Sequence, residues 1–83
     1  MCYLYILKCA DETLYTGIAI ELQRRVKEHN SSDIGAKYTR GRRPVELIFS
    51  KEFESWAAAS KEEFRIKKLS KEQKLKLIHY GNA

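Results

Sequence analysis

Tyr3-Leu4-Tyr5-Ile6-Leu7, resumed after a short polar break by Leu14-Tyr15-Thr16-Gly17-Ile18, is the stretch whose reading decides the fold. Each run is aromatic and apolar and of strand length, and the intervening Asp11-Glu12-Thr13 has turn chemistry, so the two runs read as a β-hairpin. Alternation along a strand puts Tyr3, Tyr5 and Leu7 on one face of the first, and Tyr15 and Gly17 on one face of the second. If those faces coincide, the phenol oxygens of Tyr5 and Tyr15 converge on one spot. The plainer reading makes both tyrosines sheet-packing aromatics whose hydroxyls reach water. Gly17 offers room for a turn or for the close approach of another group.

Beyond the hairpin the pattern changes. From Glu21 to Asn30, Leu22 and Val26 stand four apart among charges, which predicts an amphipathic helix. Ser31 to Pro44 is Ser-, Gly- and base-rich without periodicity and reads as an exposed, partly ordered loop. Val45 to Phe49 is a third apolar strand. Ser55 to Lys68, rich in Ala, Glu and Lys, predicts a second helix capped by Ser55, with Ala59, Ile66 and Leu69 on one face. Ser70-x-x-Gln73 has the form of a capping box ahead of Leu75 and Ile78, so a short third helix follows, before a loose Gly81-Asn82-Ala83 end. The order β-β-α-β-α-α predicts an α/β fold, a small three-stranded sheet flanked by helices. One domain over 1–83, with an ordered core of about 2–79, is expected from so short a chain.

The chain has 83 residues and a net charge of +5, which draws it toward polyanions, phosphate backbones first. Cys2 and Cys9 fall on opposite faces of a common strand with no second cluster, and read as reduced core thiols. No apolar run approaches the roughly 20 residues of a membrane span, and Lys8 interrupts the N-terminal hydrophobic stretch. A cytoplasmic protein, monomeric or weakly dimeric, is the default expectation.

Several side chains carry the chemistry. Arg25 and His29 lie i,i+4 beside the Leu22/Val26 stripe, close to the sheet: a planar fork for phosphate oxygens, and an imidazole able to donate or accept a proton near neutral pH. Arg24 and Lys27 read as solvated. Glu62 and Glu63 occupy the second helix at a phase that brings at least one carboxylate to the edge of the buried face, where it needs a partner. Lys67 at i,i+4 from Glu63 would be the structural answer; a Mg²⁺ ion, which takes few carboxylates and several waters, would be the functional one. Lys37, Tyr38, Arg40, Arg42 and Arg43 interleave cations with a ring, as backbone-tracking nucleic-acid sites do.

Taken together these residues resemble the GIY-YIG nuclease family, in which two tripeptides on a hairpin precede a helix with an arginine and a later helix with a glutamate. Tyr3-Leu4-Tyr5 and Tyr15-Thr16-Gly17 stand for the tripeptides, Arg25 for the arginine with His29 one turn on, and Glu63 for the carboxylate. The likeness covers nearly the whole chain. It looks closest to the small stand-alone bacterial members, the UPF0213-like proteins. It implies a divalent-metal-dependent endonuclease acting on nucleic acid, DNA ahead of RNA, in single-stranded or structured form. The alternative is a nucleic-acid-binding module with little turnover. In the family's terms Glu63 would hold one Mg²⁺ or Mn²⁺, Tyr5 or Tyr15 would help deprotonate the attacking water, Arg25 would stabilise the phosphate, and His29 would position or relay a proton. The chain departs from the pattern at Tyr3, which replaces the first glycine, at Thr16, and at Ile18, where some members carry lysine. Larger members attach separate DNA-binding domains, so target choice is expected from this surface or from a protein partner.

Overall fold

A computed structural model describes residues 1–31, 39 and 41–81. The hairpin forms as its alternation requires: β1 (Cys2–Lys8) pairs antiparallel with β2 (Leu14–Ala19), with Tyr5 opposite Gly17 and Leu7 opposite Tyr15. Asp11 shapes the connection, accepting hydrogen bonds from the Thr13 amide at 3.2 Å and the Thr13 hydroxyl at 2.6 Å, while Glu12 takes the left-handed conformation at φ 71°. An Asx-type turn of this kind satisfies the backbone where the chain reverses.

The third strand, β3 (Glu46–Phe53), pairs antiparallel with the other edge of β1, giving the order β2-β1-β3 with a register shift between Ile6 and Leu7. It runs four residues past the apolar stretch that announces it. Its extension contains Lys51 and Glu52, and charged side chains are tolerated on an edge strand because one flank meets water.

Helices cover both faces of the sheet. On one, α1 (Leu22–Ser31) sets Leu22 and Val26 against Tyr5, Leu7, Cys9, Ala19 and Val45. On the other, α2 (Trp56–Lys67) and α3 (Lys71–Gly81) bring Ile66, Leu69, Leu77 and Ile78 against Leu4, Ile6 and Phe49. The α2 cap is Ser55, whose hydroxyl accepts from the Ala58 amide at 3.1 Å. The α3 box is reciprocal: Gln73 donates its amide to the Ser70 hydroxyl at 3.1 Å, and the Ser70 amide donates to the Gln73 side-chain oxygen at 2.9 Å.

One expectation fails in part. The segment between α1 and β3 is not simply an exposed loop, because Thr39 within it is wholly buried. Its return into β3 is clamped by Asn30, which accepts from the Val45 amide at 2.7 Å and donates to the Val45 carbonyl at 3.0 Å. Both cysteines are free and buried. Among the described residues no helix is long and apolar enough to cross a membrane.

Candidate active site

The site begins at the pairing of Tyr5 with Gly17. Tyr5 is almost fully buried, and its ring lies across the position a Gly17 side chain would occupy: a Cβ there would stand 2.5 Å from the phenol oxygen and 2.6 Å from Cζ. Gly17 is therefore required for space, and its lack of a side chain lets the Tyr5 phenol extend over the edge strand β2. Tyr15, diagonal to Tyr5 on the same face, has its ring centroid 6.5 Å away at a 43° tilt.

His29, in the last turn of α1, completes the cluster. Its ring centroid is 5.8 Å from that of Tyr5 and 5.3 Å from that of Tyr15, both edge-on. Its Nε2 is 2.9 Å from the Tyr5 phenol oxygen, and its Nδ1 is 2.9 Å from the Thr39 hydroxyl. The charge of Arg25, one turn earlier, acts on the same phenol. With a cation that can only donate acting on the phenol oxygen, the phenol hydrogen is best directed at Nε2. That network assigns the Nδ1–H tautomer to His29, donating to Thr39.

The electrostatics follow. Burial pushes the Tyr5 phenol up to about 12, reinforced by Tyr15 and Glu63 and opposed by Arg25. Burial also pushes His29 down to about 4, with Arg25 and Arg43 adding to the fall and Glu28 resisting it. Both groups are neutral at pH 7. Burial works against the charge on Arg25, but Glu28, bonded at 3.1 Å, and the nearby Tyr5 phenol outweigh it and keep the guanidinium protonated.

Glu63 lies in the other helical layer. It stands on α2, three residues before the buried Ile66, with its side chain one quarter exposed and its Oε2 3.3 Å from Lys67 Nζ. Its negative charge adds slightly to the rise of the Tyr5 phenol. Glu62 turns instead to Arg65, which grips both its oxygens at 2.5 and 3.0 Å. That bidentate pair holds the Glu62 carboxyl below the usual range and uses both its oxygens, whereas Glu63 keeps one oxygen clear of its lysine.

The basic segment divides. Lys37, Tyr38 and Arg40 lie outside the described residues. Arg42 pairs with Asp11 at 2.9 Å, and its carbonyl accepts from the Ala10 amide at 2.8 Å, fastening the segment to the hairpin turn. Arg43 donates through Nε to the His29 carbonyl at 2.5 Å, closing off the end of α1. Both arginines have structural work besides any phosphate contact.

Two further participants went unread in the sequence. Glu28 pairs with Arg25 at 3.1 Å and with Arg24 at 3.3 Å, and the i,i+3 and i,i+4 rule would have found it. Thr39, the partner of His29, comes from a segment with no periodic signal to mark it.

Comparison with known proteins identifies the family. Residues 1–76 match the family described as the GIY-YIG catalytic domain. The chain belongs to the GIY-YIG family. Within it, the chain is 53% identical over 76 residues to a UPF0213 protein of Natronomonas pharaonis, covering 92% of this chain and 88% of that protein. It is 54% identical over 78 residues to a UPF0213 protein of Clostridium perfringens, covering 94% of this chain and 83% of that one. Among solved structures, the solution structure of a UPF0213 protein from Bacillus halodurans is 42% identical, with a TM-score of 0.61 over 95% of this chain and 84% of that one. A match to a catalytic-domain family makes the chain nuclease-like at the level of the whole domain.

Proposed function

We propose that this GIY-YIG domain is a divalent-metal-dependent endonuclease that hydrolyses phosphodiester bonds in nucleic acid, DNA ahead of RNA. The observation that carries the reading is a phenol–imidazole pair under the charge of Arg25: the Tyr5 oxygen lies 2.9 Å from Nε2 of His29, whose Nδ1 lies 2.9 Å from the Thr39 hydroxyl, and the guanidinium acts on the same phenol. A guanidinium that binds phosphate and a phenol joined to a proton acceptor are thereby held side by side.

The donor set suits a hard cation. Among the described residues no group of three His, Cys, Asp or Glu is disposed to cage a metal, which points away from zinc. Glu63 is a single, partly exposed carboxylate, the provision Mg²⁺ or Mn²⁺ needs when waters and phosphate oxygens fill the other positions. When bound there, the ion would supply Lewis-acid stabilisation of charge on the phosphate and on the leaving oxygen.

The protein's own residues do the rest. Arg25 holds a phosphate oxygen with a charge that burial does not remove. Water attacks phosphorus in line with the leaving oxygen. Its proton passes to the Tyr5 oxygen as the Tyr5 proton passes to His29 Nε2, while Nδ1–H stays on Thr39. The phosphorus–oxygen bond to the leaving group breaks, and that oxygen takes a proton from solvent. The relay avoids a free phenolate, which burial disfavours strongly. Burial is the main reason His29 rests neutral, and the bound phosphate offsets the Arg25 and Arg43 charges that add to it.

A phenol raised to about 12 and a Glu63 already paired with Lys67 also favour a second reading, a nucleic-acid-binding module with little turnover. A cleavage screen on duplex, single-stranded and branched DNA and RNA, with Mg²⁺, Mn²⁺ and chelator, separates the two. Chelator-sensitive cleavage supports the nuclease. Tight binding with no cleavage under any metal leaves the binding module.

A further inference from the structure

The only tryptophan of the chain, Trp56, is 52% exposed at the first position of α2. A large ring left in water calls for explanation when it lies beside a site. It lines a cleft of about 270 Å³ shared with Ile18 and Ile20 of the β2 end and with Arg24, Arg25 and Glu28 of α1. Ile20 is 67% exposed, so the cleft presents two unsatisfied apolar surfaces. Its position is fixed by the Ser55 cap, which holds the first turn of α2.

The charges around the cleft decide what can enter it. Arg24 pairs with Glu21 at 3.0 Å and with Glu28 at 3.3 Å, and Arg25 pairs with Glu28 at 3.1 Å. Two cations against two carboxylates leave no excess positive charge to attract a phosphate into the cleft itself. An uncharged, flat, partly apolar group suits it. On the Tyr5 side Arg25 is the phosphate-holding group of the proposed reaction; on the other it is a wall of this cleft. A nucleotide whose phosphate lies on Arg25 would therefore bring its own base, or its neighbour's, to Trp56.

We propose that Trp56 is a stacking platform for an unpaired nucleobase next to the bond to be cut, which makes the substrate class nucleic acid with an unstacked nucleotide at the cleavage site. This rests on the nuclease reading in that Arg25 must hold the phosphate. A base in an intact duplex is stacked on both faces and cannot offer one to the indole, whereas a single strand, flap or bulge can. Stacking is tolerant of sequence because every base has a π face. Glu28 at the cleft wall can accept a hydrogen bond from an exocyclic amino group, as carboxylates do from cytosine.

The test uses the indole as its own reporter, since no other tryptophan contributes to the emission. The full chain carrying Glu63→Gln, which removes cleavage from the measurement, is titrated with a short mixed-sequence single strand and with the same strand in a blunt duplex. The proposal expects the single strand to quench Trp56 emission and the duplex to leave it nearly unchanged. It also expects Trp56→Ala to weaken single-strand affinity by about 5- to 100-fold by anisotropy, Trp56→Phe to retain most of it, and duplex affinity to stay the same in both. Binding of both forms with no change in Trp56 emission overturns the platform and leaves the nuclease reading standing. Absence of binding to either form overturns both. The quenching measurement needs no substitution at Trp56, so it decides even if Trp56→Ala misfolds.

Discussion

Gly17→Ala is the sharpest perturbation the fold offers, because it adds one methyl group at the point where the Tyr5 phenol crosses β2. The new Cβ would meet the phenol oxygen at 2.5 Å and Cζ at 2.6 Å. Ordinary contacts begin near 3.5 Å, so one partner must move by roughly 1 Å. Tyr5 has little freedom to yield: it is 1% exposed and bonded to His29 at 2.9 Å. Overpacking of this kind costs about 1–3 kcal/mol, offset by about 0.5–1 kcal/mol from the lower chain entropy of alanine. A net loss of about 1 kcal/mol lowers the melting temperature by roughly 4–8 °C in a domain this small. The effect on cleavage should be larger, about 100-fold, since a 1 Å misplacement of a reacting group carries that penalty. Thermal melting and single-turnover cleavage measure the two separately. A double-mutant cycle with Tyr5→Leu supplies the control: without the phenol, Gly17→Ala should cost nothing in stability. Undiminished melting temperature and cleavage in Gly17→Ala, or an equal loss in the Tyr5→Leu background, would refute the packing argument.

Other perturbations follow from the same contacts. His29 has its pKa lowered from 6.5 to about 4, so the unfolded chain binds its proton first as pH falls. The stability it contributes is complete above pH 6.5 and is lost progressively down to about pH 4, on the order of 3 kcal/mol; urea melts at several pH values should show the decline, and His29→Gln should flatten it. Among the described residues, the buried Thr16 hydroxyl has no hydrogen-bond partner. Thr16→Val should therefore raise stability by about 1 kcal/mol, and a fall in the denaturation midpoint would contradict this. Lys67 neutralises Glu63 at 3.3 Å. Lys67→Ala should lower the Mg²⁺ concentration that gives half-maximal cleavage, and an unchanged metal dependence would place the ion elsewhere.

The local architecture was legible wherever a short-range rule governs it. Period-two alternation put Tyr5, Tyr15 and Gly17 on one face, as their register has it, and Ser55, Ser70 and Gln73 cap their helices as their side-chain chemistry requires. The end of β3 was missed because Lys51 and Glu52 break the apolar pattern on an edge strand, where water relaxes it. The burial of Thr39 was invisible for a different reason: it depends on a hydrogen bond to His29 ten residues away, with no periodicity to betray it. Arg42 and Arg43 read as phosphate contacts from composition; the bonds each makes to a distant carboxylate or backbone group are ones that composition cannot show.

The most direct test of the catalytic assignment is the single-turnover cleavage rate of Glu63→Gln beside that of the unsubstituted chain, with nucleic-acid affinity and melting temperature measured on the same preparations. The account expects the rate to fall by about 100-fold or more, with affinity and melting temperature little changed. A Glu63→Gln protein that cuts as fast as the unsubstituted one would contradict it.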